Sequence, residues 1–212
     1  MLAAVLVVGR VVEGPYVAAP PATSTTAADP AGATRVLEDL EDALADGDAA
    51  AAAALAPAGD AASADLLESL VDNARRLRVR DLDLRYVDVV GVPVGDGGWA
   101  VRADLTWSWG GGDSGVARSE VEVGLRAIDG TLGTTGFTGG RVPLWLTGPV
   151  LVDRGADTLV VTAGADPAPY STLARRAVPQ AARVLGASTG PLVVEVPADA
   201  AGLDAILGVP EG

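Results

Sequence analysis

The sequence predicts an α+β fold: three N-terminal helices packed on a strongly bent antiparallel sheet, followed by a small partial α/β unit at the C-terminus. Three observations carry this. Leucines recur every three or four residues before residue 78, which is helical spacing. Apolar and polar residues then alternate through most of residues 82–128, which is strand spacing. Finally Gly130, Gly133, Gly136 and Gly139 fall at every third position around Phe137, a pattern suited to a strand that bends sharply. The implied division is an apolar segment and linker over 1–30, a helix-and-sheet domain over 31–140 and the partial unit over 141–212.

Residues 1–9 are apolar but fewer than the roughly 20 needed to span a bilayer. They read either as the remainder of a longer hydrophobic segment beginning upstream of Met1 or as an apolar tail or early strand. Residues 15–30 are rich in Pro, Ala, Ser and Thr, the composition of a flexible linker. An apolar run followed by a linker suits an envelope or extracytoplasmic protein held to the membrane by an N-terminal anchor.

The first helix is expected over 34–46, with Leu37, Leu40 and Leu44 on one face and Glu38, Asp39, Glu41 and Asp42 on the other. Gly47 ends it and Asp48 caps an alanine run. A third helix over 64–77 aligns Leu66, Leu70, Ala74 and Leu77, with Asp60 or Ser63 as its cap. Arg75, Arg76, Arg78 and Arg80 follow, where cations complement the helix dipole.

A strand over 82–90 changes phase between Tyr86 and Val87, which predicts a bulge. The next strand places Trp99, Val101, Ala103, Leu105, Trp107 and Trp109 on one face and Arg102, Asp104, Thr106 and Ser108 on the other. Each indole can bury about 150–250 Å², so this strand should lie at the centre of the core. Its antiparallel partner over 116–128 turns Ala117, Val121, Val123, Leu125 and Ala127 to the same side. Beyond 141 a short hairpin turns at Arg154-Gly155. A helix over 170–185 contains Pro179, where a kink is expected. A strand over 192–196 follows, then a helix capped by Asp199. So small a unit is marginal alone and should either pack on the preceding domain or form the front of something larger.

Composition excludes several chemistries. Net charge is −13 over 212 residues, which disfavours nucleic acid and anionic lipid. All 15 cations are Arg, and with the abundant Ala and Gly this suggests a GC-rich bacterial genome. There is no Cys and no His, so no disulfide, no thiolate and no imidazole base or ligand. The Gly112-Asp113-Ser114-Gly115 sequence matches the surroundings of a serine nucleophile but lacks the base that chemistry needs. A glycine-rich turn is the better reading. One such Asp-Ser-Gly copy cannot make an aspartic dyad either.

The helix order, the Leu44-Ala45-Asp46-Gly47-Asp48 sequence, the helix ending at Leu77 and the long strands over 99–109 and 116–128 resemble the cystatin-like cone of the ketosteroid-isomerase and SnoaL-like superfamily. Pro143-Leu144-Trp145-Leu146, Arg183-Val184-Leu185-Gly186 and Pro191 through Pro197 resemble the opening of a gluzincin-type peptidase domain, a pairing like that in actinobacterial envelope proteins. That second resemblance implies an H-E-x-x-H helix further along, in a catalytic half beyond Gly212; with no His, no zinc residue carries over. Isomerase chemistry of the first family uses an Asp base with Tyr and protonated Asp donors. Asp104 is the candidate base, but it lies on the face opposite the tryptophans. If the cone holds a small apolar ligand, Tyr86, Trp99, Val101, Trp107 and Leu125 would line the site; otherwise they fill the core.

The expectation is therefore a non-catalytic accessory or interaction module with a protein partner, no cofactor, no metal and no assigned catalytic residue. The alternatives are a cone that binds a small apolar ligand, a cone isomerase, and the front part of a metallopeptidase. A filled cone with an exposed apolar face on 143–212 would favour the module.

Overall fold

The computed structural model describes residues 28–91, 97–110, 115–185 and 190–208. Helices α1 (Pro30–Asp46), α2 (Ala49–Ala54) and α3 (Ala61–Leu77) precede a meander of four strands, β1 (Val79–Val90), β2 (Gly98–Trp109), β3 (Ala117–Ile128) and β4 (Thr131–Thr138). The strands pair in sequence order, all antiparallel. This is the predicted α+β arrangement of three helices on a bent antiparallel sheet.

The helix starts lie earlier than leucine spacing alone indicates, because aspartates cap them. Asp29 Oδ1 accepts the Gly32 N–H at 2.9 Å, so α1 begins at Pro30, where proline is pre-organised for a first turn. Asp60, rather than Ser63, caps α3, accepting the Ser63 N–H at 3.1 Å. Ser63 is instead buried and donates to the Thr135 carbonyl of β4.

Bending is written into the strand registers. Pairing of β1 with β2 shifts between Arg80 and Asp83, where Asp81 is left-handed with φ 52°, and again between Tyr86 and Asp88. The second break is the bulge predicted from the phase change. Pairing of β3 with β4 shifts between Gly124 and Leu125. At Gly133 a Cβ would stand 2.5 Å from the Pro57 nitrogen, so only glycine lets β4 approach the end of α2. There the Thr134 N–H donates to the Leu55 carbonyl at 2.8 Å. On the opposite edge, Glu41 of α1 accepts the Leu84 N–H of β1 at 3.1 Å. Both outer strands thus have backbone groups tied to helices, which blunts edge pairing.

The second unit contains the 3₁₀ turn Leu144–Leu146, then β5 (Leu151–Arg154), β6 (Thr158–Thr162), α4 (Ala168–Leu185), β7 (Leu192–Val196) and α5 (Ala200–Leu207). Strand β6 pairs antiparallel with β5 and parallel with β7, with α4 as the crossover. Helix α4 continues through Pro179. One hydrophobic core runs through both units. It joins Leu37 and Leu40 of α1, Leu67 and Leu70 of α3, and the inner faces of β2 and β3 to Val142, Leu144, Trp145, Leu146, Leu159 and Val161.

Candidate functional site

The inner face of the sheet is where a cone would hold a ligand. Trp99, Val101, Trp107 and Leu125 all lie there and all are buried. Tyr86 is half-buried at its bulge and lines a shallow groove against α1 with Thr34, Glu38 and Glu41. The structure therefore buries four of the five candidate ligand residues on the inner face and leaves the fifth, Tyr86, half-buried beside Ala103 and packed against the same core.

Their surroundings are closely packed: Val101 and Ala103 expose no surface and Leu105 and Leu125 only 1%, while Trp99 and Trp107 keep 7% and 6%. Part of this packing comes from the second unit. Trp145 is wholly buried, its ring 6.2 Å from that of Trp107 at 66°, and Trp107 meets Trp109 at 5.6 Å and 78°. Both are edge-to-face contacts, the favoured aromatic geometry. The indole N–H groups of Trp107 and Trp145 are buried with no acceptor.

Asn73 holds the Trp145 turn in place. Its Nδ2 donates to the carbonyls of Trp145 and Gly148, both at 2.8 Å, and its Oδ1 accepts the Val150 N–H at 3.1 Å. The sequence reading missed this residue. Its signal was an amide on the apolar face of α3, three residues after Leu70 and four before Leu77. A second tie runs from Arg154 of β5, whose Nη2 donates at 2.7 Å to the Leu77 carbonyl at the end of α3.

Asp104 points away from the tryptophans, as its place in the alternation requires. Its side chain is only 13% exposed, and Oδ2 receives Arg85 at 2.6 Å and Arg118 at 2.7 Å. The Arg118 hydrogen bond, helped by Arg85, outweighs burial and holds the carboxyl below its ordinary range. A carboxylate committed to two guanidinium groups outside the sheet is not an isomerase base. Beside it Arg102 bridges Asp88 and Glu120, both at 3.2 Å. On α1, Glu41 serves the β1 edge, and no metal-holding group of His, Cys, Asp or Glu occurs among the described residues. The Asp113-Ser114 pair lies outside the described residues. Among those described, no helix is long and apolar enough to cross a membrane.

The second unit exposes large apolar side chains: Leu173 (60%) and Val184 (83%) on α4, Leu203 and Leu207 on α5, with Leu151 and Val193 on the strands. Glu195 of β7 receives the Leu144 N–H at 3.3 Å, and burial pushes its carboxyl up despite that bond.

No family model matches the chain, and no curated protein matches it. Among solved structures it is similar to one whose name begins Rd1NTF2, at 15% identity and TM-score 0.36, over 50% of this chain and 93% of that one. It is also similar to one titled "An enumerative algorithm for de novo design of proteins with diverse pocket structures", at 21% identity and TM-score 0.26, over 46% of this chain and 90% of that one. At these scores neither likeness carries an argument about function.

Proposed function

We propose that the protein is a non-catalytic interaction module of an exported, membrane-anchored bacterial protein, with the cone as scaffold and the second unit as the surface that meets a protein partner. The observation that supports this most directly is Trp145, which occupies the space against Trp107 where a cone would take a ligand. The exposed leucines and valines of α4 and α5 supply the contact surface, since apolar patches of this kind commonly mark interaction sites. The apolar run over 1–9 and the linker after it support the anchor. A photo-crosslinking residue at Leu173 or Leu203, in the protein expressed in its bacterial host, tests the reading. A discrete adduct in the membrane fraction at these positions, and none at exposed Arg85, is expected. Equal labelling at all three, or recovery of the protein only in the cytoplasmic fraction, would overturn it.

The second reading is a cone that binds a small apolar molecule. Two unpaired indole N–H groups favour it, because each buried donor without an acceptor is costly and an incoming acceptor would relieve it. Titration with an apolar fluorescent probe, read by energy transfer from tryptophan, separates the two. Saturable binding abolished by Trp107→Phe would select the ligand-binding cone.

The resemblance of the second unit to the opening of a gluzincin-type peptidase domain rests on its sequence segments alone. With no His anywhere in the sequence, it offers no zinc set of that type.

A further inference from the structure

Arg76 and Arg78 at the end of α3 meet Arg154 of β5 in a groove of about 470 Å³, completed by Leu151, Val152 and Pro167. No carboxylate lines it. The ion pairs among the described residues engage Arg75, Arg85, Arg102, Arg118 and Arg126, and none of these three. We infer that this groove binds a soluble small molecule consisting of an oxyanion, carboxylate or phosphate, on a short apolar body.

The structural demand for cations here is already met. Arg154 donates to the Leu77 carbonyl and Arg75 to the Gly47 carbonyl, which serves the ends of α3 and α1. Arg76 makes only a long contact at 3.4 Å to the Val150 carbonyl, and among the described residues the Arg78 side chain makes no hydrogen bond or ion pair. Asp166, next to Pro167, is used in accepting the Ala168 N–H at 3.0 Å. Asp153, between Val152 and Arg154 on β5, is not among the residues that line the groove.

Arg78 also stands where an arginine is poorly suited. It is the left-handed cap of α3, with φ 53°, a position that favours glycine. Strain of this kind at a charged, exposed residue points to a use for the side chain. Burial and the nearby Arg78 charge both weaken protonation of Arg154, so the guanidinium groups repel one another without a counter-ion.

The ligand class follows from the lining. Guanidinium forks match oxyanions through paired, charge-assisted hydrogen bonds. Leu151, 42% exposed, and Val152 give an apolar wall. The volume falls within the usual span for small-molecule sites and exceeds what a bare headgroup needs. With net charge −13, the molecule repels anions elsewhere, including an anionic bilayer, so saturable uptake must be local.

The test is a titration of the full chain with inorganic phosphate, octyl phosphate, octanoate and uncharged octyl glucoside at constant ionic strength, followed by arginine Nε–H NMR shifts. Octyl phosphate or octanoate should saturate the shifts of Arg76, Arg78 and Arg154 at a Kd at least about tenfold below that of inorganic phosphate. Arg78→Gly should keep or raise the melting temperature, because glycine suits the left-handed cap, while weakening binding by about tenfold or more. A merely structural arginine would show the opposite pattern. Arg76→Gln provides a second variant on an exposed position. No saturable shift up to about 50 mM, equal affinity in Arg78→Gly, or equal binding of octyl glucoside would overturn the assignment.

Discussion

Helices α3 and α4 have nearly the same length, 17 and 18 residues, and the fold uses them very differently. Helix α3 buries Leu67, Leu70, Val71, Asn73 and Leu77. Helix α4 buries Ser171 and Ala174, and turns Leu173 and Val184 to solvent. Burying a leucine side chain is worth roughly 1.5–3 kcal/mol, so α3 is fixed by the core it helps to build. A serine and an alanine offer far less. Helix α5 goes further and buries no residue fully. In the cone domain most large apolar groups are consumed by the fold, with Val87 and Val116 left exposed; in the second unit Leu151, Leu173, Val184, Val193, Leu203 and Leu207 remain available. That contrast adds to Trp145 in supporting the reading of the second unit as a contact surface.

The contrast can be broken most forcefully at Trp145. Trp145→Ala should cost about 3–5 kcal/mol, with both units melting together in a urea titration followed by tryptophan fluorescence and far-UV circular dichroism. Trp107→Ala, on the other side of the same contact, should cost about as much. A loss below about 1 kcal/mol at either position would mean that the cone and the second unit do not share a core. Next in size is Asn73→Ala, which strands two carbonyls and one N–H and should cost roughly 2–3 kcal/mol in the same titration.

Titration behaviour sharpens the comparison. Burial raises the Glu195 carboxyl, so its protonated form favours the fold. That contribution is complete below the unfolded value of about 4.3 and is lost as pH rises through the raised folded value. Glu195→Gln should therefore melt above wild type at neutral pH, with the gap closing as pH falls to about 4. Asp60 and Asp104 act in the opposite sense. Their carboxyls are held low, by the Ser63 N–H and by Arg118 respectively, so their support is present above about 3.9 and fades as pH falls through the lower folded values. The smallest effect is expected on α4: Leu173→Ser with Val184→Ser should stay within about 0.5 kcal/mol while abolishing crosslinks to a partner.

The fold was largely legible because its signals are local. Capping aspartates, leucine spacing and strict alternation each act within a few residues, so the three helices and the inward tryptophans could be read directly. Even the bulge after Tyr86 was written as a change of phase. The candidate ligand set was half legible in the same way: alternation put Trp99, Val101, Trp107 and Leu125 on one face, but it could not say whether a cavity or a side chain lay opposite.

Alternation along β2 and the absence of His and Cys were thus decided by the sequence alone, the first because side-chain direction in a strand has period two, the second because no folding can add an imidazole or a thiol. The tertiary structure decided what fills the cone. Asn73 meets carbonyls 72 and 75 residues away, and Arg154 meets the end of α3 across 77. Partnerships over such separations leave no periodic trace in the chain. They arise only when the whole hydrophobic core closes and brings the two units' side chains within hydrogen-bonding reach.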